Sequence, residues 1–437
     1  MTTNFSKDRL GDRGLATSAE SKAPHDIAVA LLTGGSDKPY VFGLTTSLTA
    51  KGATLDLIGS DELDCSEYRN NPSVKFLNLR GDQRSDVGLV QKTLRICKYY
   101  LRLIGYAASS KPGVFHILWN NKFEYFDRTM LMLYYRMLGK KIVFTAHNVN
   151  AAKRDLVDSW VNRLTLRVQY RLAHRIFIHT EKMRQELMDE FGVASSRIIL
   201  IPFGINNAVP NTDLTPSEAR KRLGLLDKEQ AILFFGRITP YKGLEYLIDA
   251  SRKLWAKGSK CRLIIAGRVD RCEKYWEAIR QDIQREVESG RIILKADYIP
   301  DEETEVYFKA ADVLILPYKE IYQSGVLFLA HSFGLPVIAS DVGSLKDDIV
   351  EGKTGFLFHP EDSSDLARAL DRYFASGLYA NLGARRRDIQ EFAAERHSWD
   401  TVAQITMSTY GDLLQISWPK NEVSTAVSTA SLDVNVP

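Results

Sequence analysis

The chain has 437 residues, 45% of them hydrophobic and 26% charged, with a net charge of +4. That length exceeds one ordinary core and predicts two domains of roughly 150–200 residues. The composition is that of a soluble globular protein, and so mild a charge argues against a dedicated nucleic-acid binder.

Taken in chain order, residues 1–25 are polar, lack the apolar core of a secretion signal, and read as a disordered tail. Asp26–Thr33 (DIAVALLT) reads as a buried strand that stops in Gly34-Gly35. Thr54–Ile58, Val74–Asn78, Val114–Trp119, Lys141–Thr145, Arg175–His179 and Ile198–Ile201 follow as further strands. Helical patterns over Leu89–Ala107 and Asp155–Ala173 stand among them. A seam is expected near Gly204–Glu218, where INNAVPNTDLTP is rich in proline and asparagine and ends in a Thr-x-x-Glu helix start. A second set of strands comprises Gln230–Phe235, Leu263–Ala266, Ile292–Lys295, Val313–Leu316 and Val337–Ser340. Trp399–Leu414 reads as a last helix, expected to pack back across the first domain, and residues 418–437 as a second disordered tail.

Short apolar strands alternating with helices predict an α/β fold of two doubly wound parallel sheets, over residues 26–205 and 206–397, with 398–417 crossing back. Such sheets bind ligands at the carboxyl ends of their strands, so the cleft between them is where chemistry is expected. No apolar run reaches the ~20 residues of a membrane span. Cys65, Cys97, Cys261 and Cys272 form no C-x-x-C pair, so free thiols in a reducing cytoplasm are expected, with no disulfide frame and no zinc site.

Four stretches stand beside that cleft. Phe234–Glu245 (FFGRITPYKGLE) places Gly236, Arg237 and Lys242 at a strand-to-helix loop, where two cations suit an anion; the alternative is a solvated basic turn. Lys140–Asn150 (KKIVFTAHNVN) puts His147 at a strand's carboxyl end, as a ligand contact or as a hydrogen-bonded structural histidine. Gly34-Gly35 either cradles a phosphate or makes a turn. In the fourth, a buried strand DVLILPY leads through Glu320 to Ser324, Gly325 and Val326, where a helix begins that is apolar on nearly every side. Its N–H groups need partners, from a Ser324 cap or from a bound phosphate.

Together these motifs resemble glycosyltransferase family 4. The resemblance rests on Gly236-Arg237-x4-Lys242-Gly243, the helix closing on Gly334-x-Pro336-Val337-Ile338-Ala339-Ser340, DVGSLKDDIVEGKTGFLF from Asp341, Thr145-x-His147-Asn148, and Pro202-Phe203-Gly204-Ile205. It implies a GT-B fold and a retaining transfer from a sugar nucleotide, UDP- or GDP-linked, with no other cofactor. Arg237 and Lys242 would hold the diphosphate in place of a metal, and no Asp-x-Asp triplet occurs in the chain. His147 would lie near the donor sugar, and the loop carrying Asp297 and Tyr298 would meet the base. Where the family carries Glu-x7-Glu, this chain has Ile321 and Leu329, with Glu320 one residue before the first.

A sugar, lipid-linked or small-molecule acceptor is implied, as in exopolysaccharide assembly. The cation-rich helical patterns Leu89–Ala107 and Asp155–Arg175 either lie on anionic lipid at the inner face of the membrane or dock on their own sheet. Alternatives on the same fold are a sugar-nucleotide epimerase, a phosphorylase, or a non-catalytic sugar-nucleotide-binding subunit.

Overall fold

The computed structural model describes residues 27–34, 37–84, 88–154, 157–205, 209–226, 228–270, 272–416 and 418. Residues 1–25 and 419–437 of the two expected tails, and Gly35, lie outside the described residues.

Seven strands form the first sheet: β1 (Ala28–Leu32), β2 (Thr54–Gly59), β3 (Val74–Asn78), β4 (Val114–Ile117), β5 (Lys141–Thr145), β6 (Arg175–Ile178) and β7 (Ile198–Leu200). Their order is β3-β2-β1-β4-β5-β6-β7 and every pair is parallel. A second, six-stranded parallel sheet holds β8 (Ala231–Phe235), β9 (Arg262–Ala266), β10 (Ile292–Lys295), β11 (Val313–Leu316), β12 (Val337–Ser340) and β13 (Gly355–Phe358), in the order β10-β9-β8-β11-β12-β13. In each sheet the first strand lies in the interior, between its successor and a later strand. That reversal opens a crevice at the carboxyl ends, at β1/β4 and at β8/β11. The two doubly wound sheets expected from the strand–helix alternation are therefore present.

Continuous Val/Ile/Leu runs suit strands covered on both faces, and four apolar clusters, two per sheet, line those faces. Thr215 and Glu218 form the reciprocal capping box that the Thr-x-x-Glu signal predicts, opening the helix Pro216–Arg222. Two elements differ from expectation. The helix read from Asp155 begins at Trp160, because the Ser159 hydroxyl accepts the Asn162 N–H and starts it there. Strand β13 was not expected; GFLF is too short for periodicity to separate it from its loop.

The last helix, Trp399–Leu414, lies on the first sheet. Tyr410 Oη is 2.6 Å from His116 Nδ1 on β4, and the Trp399 indole donates to the Ile205 carbonyl at 2.7 Å. A Cβ on Gly43, in the helix Lys38–Ala50, would stand 2.1 Å from the Trp399 ring, so the two helices touch backbone to ring. Among the described residues no helix is long and apolar enough to cross a membrane.

Candidate active site

The chain leaves β8 through Gly236, which has φ +100°, beside Gly267, which follows β9 with φ +142°. A Cβ on Gly267 would sit 1.9 Å from the Gly236 carbonyl oxygen, so the backbones of the two strand ends touch and only glycine fits. Pro240–Lys242 then makes one 3-10 turn, and the helix Leu244–Ala256 follows.

This turn separates its two cations. Lys242 is only 5% exposed, with its ammonium 5.2 Å above the Tyr318 ring. A Cβ placed on Gly236 would meet that ammonium at 3.1 Å and Val326 Cγ2 at 3.4 Å. Gly236, Lys242, Tyr318 and Val326 thus share one point at the β8/β11 crevice. Arg237 points outward, its side chain 59% exposed, and Asp270 holds its guanidinium at 3.0 Å. One cation is desolvated and fixed, and the other is wet and steered by a carboxylate.

Opposite them begins the helix Gly325–Ser332. Its body is buried from Leu327 to His331, while Gly325 is exposed at its amino end. The Ser324 side chain makes no capping bond; its hydroxyl lies 3.3 Å from Tyr318 Oη. The serine-cap reading of this terminus is therefore not realised. A Cβ on Gly325 would meet nothing within 4 Å, so no neighbouring protein atom requires glycine there. An uncapped helix terminus with open space over its first residue is a place for an anion.

Ile321 and Leu329, which stand where the paired acids would be, are both buried apolar side chains in the second domain's core. Glu320 is exposed. The Asp341–Ser344 loop closes on this segment, the Ser344 N–H bonding the Tyr322 carbonyl at 3.1 Å. Asp297 and Tyr298 follow β10, two strands from β8 and hence roughly 10 Å to the side. Tyr298 is 60% exposed, and the Asp297 carboxylate accepts the Tyr298 N–H at 2.7 Å. They lie on the same rim without touching the cations.

The first domain meets the cleft with rings. His147, after β5, stacks on Trp119 at 4.1 Å with an 8° tilt and takes the edge of Tyr40 at 4.7 Å. His179 Nδ1 is 3.2 Å from the Ile201 carbonyl, which can only accept, so His179 donates there. Its Nε2 then accepts from His147 Nδ1 at 3.2 Å, which leaves the lone pair on His147 Nε2. That atom is buried and has no protein partner. Burial, and then the neighbouring His179 and His116, push His147 well below the usual histidine range, and burial takes His179 to about 4. Both imidazoles are neutral at pH 7, and His147 presents an acceptor. Gly34 has φ +61° and a Cβ there would stand 2.5 Å from the Trp119 carbonyl, so packing against the β4 loop accounts for this glycine.

Two contacts join the domains here. Phe203 stacks on Phe328 of the buried helix at 5.1 Å and lies 6.1 Å from His147. Tyr322, in the loop before that helix, buries its ring in the first domain and donates to Glu186 Oε1 at 2.8 Å. Sequence reasoning missed Trp119, Tyr40, His179 and Tyr322. His179 was reachable by the strand-end rule that found His147. The others are aromatic residues whose role lies in contacts between segments distant in sequence.

Comparison with known proteins places these features in a family. A model described as Glycosyltransferase Family 4 matches residues 39–209, and one described as Glycosyl transferases group 1 matches residues 229–376. A D-inositol 3-phosphate glycosyltransferase of Corynebacterium aurimucosum is 25% identical over 292 residues, covering 64% of this chain and 68% of that protein. One from Geodermatophilus obscurus is 23% identical over 91% of this chain and 89% of its own length. Among solved structures, sucrose-phosphate synthase from Thermosynechococcus elongatus superposes with a TM-score of 0.70 at 21% identity, over 89% of this chain and 100% of that one. Anabaena HepE in complex with UDP and glucose superposes with a TM-score of 0.68 at 17% identity, again over 89% and 100%.

Proposed function

Because the chain belongs to the GT-B glycosyltransferases of group 1 and family 4, we propose that it moves a sugar from a nucleotide donor to an acceptor with retention and without a metal. The observation that carries this reading is the bare amino end at Gly325 facing the fixed ammonium of Lys242. Breaking a glycosyl–phosphate bond leaves a diphosphate, and a preorganised cation and helix terminus stabilise that charge as it develops. Arg237 is the outer of the two cations and would close on the diphosphate from solvent. His147 supplies a hydrogen-bond acceptor on the sugar side. The leaving phosphate itself would take the acceptor's proton, so no protein base is assigned.

UDP, UDP-glucose or ADP is named as bound in several structures of this fold. The donor's ribose meets no carboxylate at Ile321 or Leu329, so this chain reads that part of the donor differently, and the Asp297–Tyr298 loop would meet the base. Thermal stabilisation by UDP-, GDP- and ADP-sugars tests the site, since a ligand at 100 times its dissociation constant adds about 2.7 kcal/mol. If none of the three stabilises the protein, the donor site is wrong. Retention is read from the anomeric configuration of the product by NMR; an inverted product overturns that part of the proposal.

The acceptor is a sugar, a lipid-linked sugar or a small molecule, in polysaccharide or glycoconjugate synthesis, and the protein works in the cytoplasm. The relatives named D-inositol 3-phosphate glycosyltransferase favour a phosphorylated acceptor. Contact with an anionic membrane surface is supported by three neighbouring helical segments of the first domain. They leave Leu94, Leu101, Met130, Met137 and Trp160 exposed by 60% or more, beside the exposed cations Lys98 and Arg102. The inner face of Leu89–Ser109 docks on the sheet through Tyr99, Tyr100, Leu103 and Ala107, so the outer residues are not needed for folding. Co-sedimentation with phosphatidylglycerol vesicles, lost when Leu101 and Met130 become Ser, tests this contact; equal sedimentation of that variant ends it.

A further inference from the structure

A pocket of about 270 Å³ opens on the first domain and is lined by Arg80, Arg84, Lys92, Arg95 and Lys122 together with Tyr99. No motif pointed to it, because its cations come from three separate segments. Arg80 and Arg84 follow β3, Lys92 and Arg95 lie in the first two turns of Leu89–Ser109, and Lys122 follows β4.

Two of the guanidinium groups are held in place. Arg80 lies over the Tyr99 ring at 5.3 Å with its Nη1 buried and unpartnered by protein, and Arg95 Nη2 donates to the Arg84 carbonyl at 3.2 Å. Tyr99 is itself fixed by its hydroxyl on Asn121 Oδ1 at 2.5 Å. Among the described residues one carboxylate, Asp82, pairs with a lining cation, Arg84, and none pairs with Arg80, Lys92, Arg95 or Lys122. Crowding like charges into one concavity is unfavourable unless an anion joins them, and arginine forks match phosphate oxygens.

The pocket's position gives it a role. Lys122 is three residues from Trp119, which stacks on His147, so their Cα atoms lie at most about 11 Å apart. The loop that supports the sugar-side histidine therefore also lines the basic pocket, on the domain opposite Arg237 and Lys242.

We propose that this pocket binds a phosphate group carried by the acceptor, setting the acceptor's free hydroxyl toward His147. The inference rests on the transferase reading above and adds the site that would hold the acceptor's phosphate. It needs no further reactant, because the phosphate is a handle and forms no bond in the transfer. Arg80 and Arg95 are its fixed forks, and Lys92 and Lys122 are the mobile point charges that complete the neutralisation.

The test uses the full chain and inorganic phosphate, titrated calorimetrically with the donor site first filled by whichever of UDP, GDP or ADP stabilises the protein. Wild type should bind. Lys92→Gln/Arg95→Gln should bind at least roughly tenfold more weakly, the loss expected for charged hydrogen bonds. Lys122→Gln, in a different segment, should show a smaller loss in the same direction. Acceptor-independent hydrolysis of the donor should be unchanged in both variants, and their melting temperatures should match wild type.

Glucose 6-phosphate and phosphatidic acid in phosphatidylcholine vesicles present the same phosphate monoester from two sources. Displacement of inorganic phosphate by the soluble sugar phosphate assigns a soluble acceptor, and displacement by the vesicles alone assigns a lipid head group. Absence of binding to wild type overturns the proposal, as does equal binding to both folded variants. Failure of all three nucleotides to bind while phosphate still binds would instead sink the transferase reading and leave the anion pocket standing.

Discussion

At the ends of β8 and β11 the second domain presents a buried ammonium, an exposed guanidinium and an uncapped helix terminus. At the ends of β1, β4, β5 and β6 the first domain presents a stack of rings with two neutral histidines, with the Asp37 carboxylate at its edge capping the helix that carries Tyr40. One face is built for a leaving group that gains negative charge, and the other for a neutral sugar and its hydroxyls. The contrast follows from the chemistry, since electrostatic stabilisation pays most where charge changes in the transition state, and hydroxyl recognition needs shape and neutral hydrogen bonds.

The largest expected effect falls on the charged face. Lys242→Ala should lower kcat by about 10²–10³-fold, the usual loss when one donor aimed at developing charge is removed, while the circular dichroism spectrum and the melting temperature stay close to wild type. Turnover within a factor of a few of wild type would remove the diphosphate role from this residue and erase the contrast. Two glycines of the same face divide structure from function. Gly267→Ala should destabilise by about 2–4 kcal/mol, because its Cβ would enter the Gly236 carbonyl at a backbone angle suited to glycine. Gly325→Ala meets no protein atom, so its melting temperature should hold or rise slightly, since alanine is the better helix former. Any loss in that variant should appear in donor affinity. Equal destabilisation of the two variants would show that Gly325 has a packing role after all.

The faces also differ in how far the sequence reveals them. The charged face is contiguous: Gly236, Arg237 and Lys242 fall within seven residues, and the buried helix is marked by its own apolar run and by Gly334-x-Pro336 behind it. Local spacing therefore exposes it, along with nearly every strand of both sheets. The ring face draws on Tyr40, Trp119, His147, His179 and Phe203, spread over more than 160 positions, and aromatic residues at that spacing look like core. The basic pocket is hidden for the same reason, because Arg80, Lys92 and Lys122 meet only once β3, the long helix and the β4 loop are folded together. The sequence pattern also offered a Ser324 cap, and the geometry removes that reading: the hydroxyl turns to Tyr318 and leaves the helix terminus without a side-chain cap.

On the ring face a smaller effect is expected. His147→Phe keeps a flat ring on Trp119 and removes the Nε2 acceptor, so kcat/KM should fall by roughly tenfold, about one hydrogen bond's worth. Affinity for the free nucleoside diphosphate should not change, because no charge is touched. A loss of nucleotide binding in step with kcat/KM would mean that the two faces are not chemically separate.

The smallest effect concerns a histidine that neither face uses. His331 sits inside the buried helix with no exposed surface and with both ring nitrogens unpartnered by protein, and burial lowers its pKa to about 4. Beside it, burial, and then the charges of His331 and Arg396, take His397 to about 3. A histidine whose folded pKa lies below its unfolded value contributes full stability above about pH 6.5 and loses it as the pH falls toward the folded value, by up to about 1.4 kcal/mol per pH unit for each such group. His331→Leu should therefore match or slightly exceed the wild-type melting temperature at pH 7.5, since leucine fills the site without orphaned nitrogens, and should lose less of it between pH 6.5 and pH 4.5. Parallel melting curves across that window would show that His331 keeps a partner in solution, most simply a buried water. The helix would then have a second polar anchor besides its open amino end, and the donor-side face would no longer depend on apolar packing alone to hold Gly325 in place.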